Sequence, residues 1–210
     1  METLRLILEC LSLLCSAAIT IAAFIGLRQL KISKETSRIA SKRDAYKLAA
    51  DQCTHYFTNI IPLVNKLDAL VAERNIDLFK NANVEVVGKQ IKSSYTLKDD
   101  YVAEFEIIAP ELLNLLNAME AFSVFFTSRL AAESVAFSSV GETFCHSTRE
   151  LLPEIMLLNR KQHYRNLIQL FLLWNERIES RKLLLDKAAI EARLLKLDNK
   201  TVDPLGTADV

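Results

Sequence analysis

Two cysteine–histidine pairs, Cys53-Thr-His55 and Cys145-His146, are the residues whose types most readily suggest chemistry. Two thiolates and two imidazoles make a familiar zinc donor set. On a helix, however, positions i and i+2 diverge by about 200° and positions i and i+1 by about 100°, so neither pair converges easily on one ion. No local signature of a nucleophilic cysteine surrounds either thiol. Glu106, Glu111 and Glu120 could form an acid–base set. Solvated or structurally capped carboxylates are far commoner, and the sequence therefore predicts no enzyme, no cofactor and no metal. Arg160, Lys161, His163 and Arg165, with Tyr164 among them, cluster at the start of the last helix and could receive a phosphate or another anionic ligand. Cations at a helix start oppose its dipole, so a solvated basic face is the alternative.

The remaining polar candidates sit in an oily segment. Glu9, Ser12, Ser16 and Thr20 lie at helical steps of three, four and four, with Arg5 four residues before Glu9. A carboxylate near hydrocarbon is expensive and generally faces protein or water, so in an assembly of several copies this row would line a narrow polar path. For one copy alone, Glu9 is better placed at the headgroups beside Arg5, with the hydroxyls bonded to their own i−4 carbonyls. Ala18, Ala22 and Gly26 recur every four residues, a small-residue ridge along which another helix can approach closely.

These residues must be positioned by long helices. The chain has 210 residues, half of them hydrophobic, yet only four glycines and four prolines. Many-stranded sandwiches and barrels need more turns than that and are disfavoured, as is a glycine-rich phosphate loop. Lys+Arg and Asp+Glu balance at 26 each, which removes any whole-protein argument for nucleic acid. The fold class expected is all-α.

From Cys10 to Leu27 no charge occurs for eighteen residues, about 27 Å of helix. Leu6, Ile7 and Leu8 lengthen the run toward the ~30 Å hydrocarbon core. We read residues 1–27 as a transmembrane helix. A cleaved signal peptide is the main rival, since the alanines imitate a cleavage site, but the apolar run continues past them. After the run come Arg28, Lys31, Lys34, Arg38, Lys42, Arg43 and Lys47 against Glu35 and Asp44, a formal charge of +5. The positive-inside rule places this side in the cytoplasm, and anionic lipid accounts for the basic residues. Residues 28–47 are read as a juxtamembrane helical stalk, 48–197 as a cytosolic helical bundle and 198–210 as a disordered tail. A reducing compartment suits the unpaired spacing of the four cysteines.

Within the bundle, Ile32, Ile39, Tyr46, Cys53, Ile60 and Leu67 fall at seven-residue steps, joined from Ala49 onward by further apolar positions. The stripe widens from a seam to a core face. Pro62 is expected to kink this helix. Residues 74–98 lose the period and read as a loop or short helices; Val84–Val87 has strand character but no evident partner. A helix then opens near Asp99–Asp100 and is apolar enough to resemble a second span. Glu106, Glu111, Asn114, Asn117 and Glu120 instead make it the central helix of a soluble bundle. Gly141 and Pro153 are expected to divide the stretch that follows. In the last helix Tyr164, Phe171, Ile178, Leu185 and Ala192 are seven apart, as are Leu167, Trp174, Arg181, Ala188 and Leu195. A seam of that length packs within the bundle or, in its distal half, against another subunit.

The layout as a whole resembles a group of bacterial single-span membrane proteins with an all-helical cytosolic domain. The residues that carry the resemblance are the span, the basic helix with Arg38 and Tyr46, the run Leu112-Leu113-Asn114 through Glu120 and Phe122, and the late Tyr164, Leu170 and Trp174. Similar proteins serve as membrane effectors of anti-phage defence, among them the membrane accessory protein of Cas13b CRISPR systems and the channel effector of Hailong defence. The resemblance implies a homo-oligomer in the bacterial inner membrane that forms an ion-conducting pore under cytosolic control. The controlling input would be a small molecule, an oligonucleotide or a protein encoded nearby. No catalytic residue is implied, and the ribonuclease spacing of Arg and His found in some helical defence proteins is absent, Arg160 and His163 being too close. A membrane-tethered scaffold or binding protein without a pore is the alternative.

Overall fold

The computed structural model describes residues 2–76, 82–88, 90–95, 101–159 and 162–197; within these, the side chains of 4–18, 20, 82, 83, 93 and 95 lie outside the description. Helix α1 runs unbroken from Glu2 to His55, about 80 Å at ~1.5 Å per residue. No glycine or proline falls between Leu27 and Ile61 to stop it. Its described side chains are exposed or half-exposed through Leu48, Ile32 and Ile39 included, and the first buried residue is Ala49. From there Cys53, Tyr56, Ile60 and Leu67 are buried in turn.

The chain stays helical through Pro62. A single π-helical turn, Tyr56–Ile60, joins α1 to α2 (Ile61–Glu73), with the Ile61 N–H donating to the Tyr56 carbonyl. Proline has no N–H and its ring collides with the carbonyl four residues back. Widening the preceding turn by one residue accommodates both demands. Helix α2 stops at Asn75, whose φ of 51° suits the left-handed conformation asparagine tolerates. Ile76, buried, then donates to the Val71 carbonyl.

The segment expected to be loop or short helices is instead an antiparallel hairpin, β1 (Ala82–Val87) paired with β2 (Gln90–Tyr95). The partner missing from the sequence reading is the polar run immediately after it. Gly88, at φ 59°, supplies the positive-φ residue that so tight a connection requires. Val84, Val86 and Ile91 pack on the helical core, and this contact lets so small a sheet persist. The protein is thus mostly helical, consistent with the all-α class, with one small hairpin added.

Helix α3 (Tyr101–Thr127) is the centre of the bundle, burying Ile108, Leu112, Leu115, Leu116, Met119, Phe122 and Phe126. Among the described residues it is the one helix long and apolar enough to cross a membrane, a test that the core helix of a soluble protein also passes. Helix α4 (Glu133–Leu158) passes through both Gly141 and Pro153 without interruption, correcting the expectation that they divide it. Gly141 is buried against the Phe137 ring: a Cβ there would lie 2.6 Å from Phe137 Cδ2. Its role is close packing within the helix rather than a break.

Helix α5 (Arg165–Leu194) divides in two. Tyr164 at its start, then Leu167, Phe171 and Trp174, are buried, whereas every residue from 180 to 197 is exposed. Helices α3, α4 and α5 meet at Trp174, fully buried, with Phe144 at 5.0 Å between ring centroids, Phe126 and Phe137 at 5.9 Å and Phe122 at 6.4 Å. Tyr56 of the π turn closes this cluster against Phe122 at 5.2 Å.

Candidate functional site

A groove of about 520 Å³ lies between α4 and α5, lined by Glu142, Cys145, His146, Arg149, Asn175, Ile178, Arg181, Lys182 and Leu185. Its floor is apolar and its rim is basic. Arg149 donates to the buried Asn175 side chain and lies 3.6 Å from Glu179, which also accepts from Lys182 at 3.2 Å. The Lys182 hydrogen bond, ahead of the nearby positive charges, holds the Glu179 carboxyl below the usual carboxylate range. His146 is 3.4 Å from Glu150, and the Arg181 guanidinium stacks 4.7 Å from the Phe137 ring centroid. Each rim cation therefore has a partner within the chain. An incoming anion would have to displace Glu179, and the groove as it stands works as an ionic clamp between two crossing helices.

Beside it, Glu133 forms a second clamp. Arg177 donates to both of its oxygens, at 2.9 and 3.2 Å, and the Trp174 indole N–H donates to it as well. A bidentate, partly shielded pair of this kind is far better defined than a surface ion pair. A smaller cavity of about 250 Å³ lies between α2 and α4, walled by Val64, Leu67, Val71, Leu115 and Leu151, with Asp68, Ser147 and Glu150 also lining it.

The cysteine–histidine pairs do not come together. Cys53 and Cys145 are buried, while His55 is exposed beside Asn59 at 2.7 Å and His146 faces Glu150. Burial pushes the Cys145 thiol up to about 12 against the opposing pull of Arg149, and raises Cys53 against a Ser139 hydrogen bond. Thiols held in that form are poor nucleophiles. Among the described residues no group of three or more Cys, His, Asp or Glu converges as a metal site.

The three glutamates of α3 have separate fates. Glu106 is exposed, Glu111 pairs with Lys66 at 2.8 Å, and Glu120 reaches the first turn of α5. There the Glu120 carboxylate accepts from the Leu167 N–H at 2.7 Å, the Asn166 N–H at 3.2 Å and the Asn166 side chain at 2.7 Å. The helix start to which the basic cluster belongs thus already holds an anion, supplied by the chain. His163 and Arg165 are exposed around it, and Arg160 and Lys161 lie outside the described residues.

The side chains of Glu9, Ser12, Ser16, Thr20 and Ala18 are likewise outside the description, although the backbone of α1 is helical through all five. Ala22 is exposed and Gly26 half-exposed; nothing lies within 4 Å of where a Gly26 Cβ would stand.

Sequence reasoning missed the Glu133–Arg177–Trp174 and Arg149–Asn175–Glu179 clamps. An acid in the first turn of α4 is readable as a dipole partner, but its cation lies 44 residues away on another helix. Comparison of the chain with known protein families, with curated proteins and with solved structures finds no match.

Proposed function

We propose that this chain is an oligomeric single-span effector of the bacterial inner membrane, whose cytosolic helical bundle controls an ion-conducting pore formed by the N-terminal segments. The observation that carries the reading is the continuity of α1. One helix joins the uncharged Cys10–Leu27 run to the core residues Ala49 and Cys53 without a break. A rotation or tilt imposed on the bundle is transmitted along such a rod to whatever its N-terminal part contacts. The exposed, +5 stalk is what a helix lying close to anionic lipid requires. The polar row Glu9, Ser12, Ser16 and Thr20 and the small ridge Ala18, Ala22 and Gly26 supply a lining and a contact face on the same helix. The likeness to anti-phage membrane effectors supports the same reading.

Purified full chain reconstituted in liposomes tests it: assembled protein should release a trapped ion. Insertion and assembly without ion release would reject the pore and leave a membrane-tethered scaffold.

A further inference from the structure

The groove between α4 and α5 gathers cations that the chain as a whole does not have in excess. Lys+Arg and Asp+Glu are equal over the sequence, yet Arg149, Arg181 and Lys182 line this groove against Glu142 alone. Two of these cations are held in place from separate helices. Arg149 of α4 donates to the side chain of Asn175, which is buried, and Arg181 of α5 stacks on the Phe137 ring. Arg177, one turn earlier, stacks on the same ring at 4.5 Å and also grips both oxygens of Glu133. Arg181 repeats the stack, but among the described residues no carboxylate accompanies it. A planar guanidinium fixed in this way needs little further ordering to receive an oxyanion.

The chain itself marks where such an anion sits. A single oxygen of Glu179, Oε1, lies 3.6 Å from Arg149 and 3.2 Å from Lys182, so one anionic oxygen fits between a cation of α4 and a cation of α5. That occupant is weakly held. Arg149 and Glu179 keep 52% and 45% of their side-chain surface exposed, and ion pairs so open to water contribute little. A group with two negative charges competes well with one carboxylate, which then turns into solvent. Apolar surface of Ile178 and Leu185 lies beside the cations, and a volume of about 520 Å³ is that of a small-molecule site. We propose that the groove binds an organic phosphate, whose phosphoryl oxygens replace the Glu179 carboxylate between Arg149 and Lys182 and reach Arg181, while its apolar body rests on Ile178 and Leu185. The ligand joins α4 to α5 at their crossing.

As the cytosolic input of an effector this site rests on the reading above; binding itself is testable apart from it. Calorimetric titration of the full chain in mild detergent uses four probes: adenosine 5′-monophosphate, dihexanoyl phosphatidate, inorganic phosphate and adenosine. One of the two organic phosphates should bind, and inorganic phosphate and adenosine should bind about tenfold more weakly or not at all. Binding of the nucleotide assigns a soluble source, and binding of the phosphatidate alone assigns a lipid headgroup. Glu179→Gln removes the competing charge and should tighten binding several-fold. Arg181→Gln, at an exposed position, should weaken it about tenfold with the helical spectrum unchanged. Failure of both organic phosphates to bind the parent overturns the inference, and so does binding that Arg181→Gln leaves unaltered. A Glu179→Gln protein that binds no tighter overturns the displacement, and inorganic phosphate binding as well as either organic phosphate overturns the part given to Ile178 and Leu185. Binding without any change in ion release from liposomes retains the site and removes it from pore control; ion release from a chain that binds neither organic phosphate retains the pore and rejects the site.

Discussion

The Glu120 carboxylate of α3 accepts the backbone N–H of Leu167, 47 residues further along the chain, at 2.7 Å. With the two bonds from Asn166 it satisfies donors of the first turn of α5 that no residue local to that turn caps by its side chain. One side chain therefore sets both the position and the start of the last helix.

Glu120→Ala should lower stability by about 1–2 kcal/mol, the usual cost of losing a helix cap plus a favourable dipole contact. Glu120→Gln keeps an acceptor but loses the charge, and should cost about half as much. Urea unfolding of the full chain in detergent, followed by Trp174 fluorescence, reads both. Equal stability of all three proteins would mean that water replaces the cap without loss.

Gly141→Ala runs against helix propensity. In an open helix the substitution gains about 1 kcal/mol. Here the new methyl would lie 2.6 Å from the Phe137 ring, which itself packs on Trp174 and lies beneath Arg177 and Arg181. The expected net result is destabilisation of roughly 1–3 kcal/mol. Phe137→Leu in the Gly141→Ala background should recover part of it, which a generic defect would not.

Glu154 is buried at 2% exposure and accepts from the Tyr101 hydroxyl at 2.8 Å. Burial raises its carboxyl above the usual carboxylate range, with the tyrosine hydrogen bond opposing. A carboxyl raised in the folded state favours the protonated form there. Its contribution is fully present below the unfolded pKa of about 4.3 and is lost as pH rises through the folded value. Glu154→Gln, neutral at every pH, should flatten that part of the stability profile and leave the protein at least as stable as the parent at neutral pH. Urea midpoints at stepped pH values decide this; a variant with the parent's slope would remove Glu154 from the account.

Replacing Ser12, Ser16 and Thr20 together by leucine should abolish ion release in liposomes while insertion persists, because apolar substitutions favour partition into lipid. Glu9→Gln should change ion selectivity more than assembly, since a carboxylate ring favours cations by charge. A triple-leucine protein that conducts like the parent would place the path elsewhere or remove it.

Helical periodicity is local, so much of the core was readable from residue types alone. Cys53, Ile60 and Leu67 on one stripe, and Tyr164, Leu167, Phe171 and Trp174 on the other, are all on inward faces. That Glu111 and Glu120 would be structurally capped or paired was also readable before the fold. Which groups engage them was not. The partners of Glu120 and Glu133 lie 46 and 44 residues away, and only the crossing of α5 over α3 and α4 brings them within 3 Å. The hairpin was missed because β2 carries little apolar signal; backbone pairing through the Gly88 turn and the contact of Val84, Val86 and Ile91 with the helices make it a strand. Gly141 and Pro153 read as breaks, yet α4, buried at both, is continuous through them. The long α5 seam looks uniform as a heptad pattern, but its proximal half meets a core and its distal half meets none among the described residues. A periodicity records which side of a helix is apolar; what lies opposite depends on where the other helices stop.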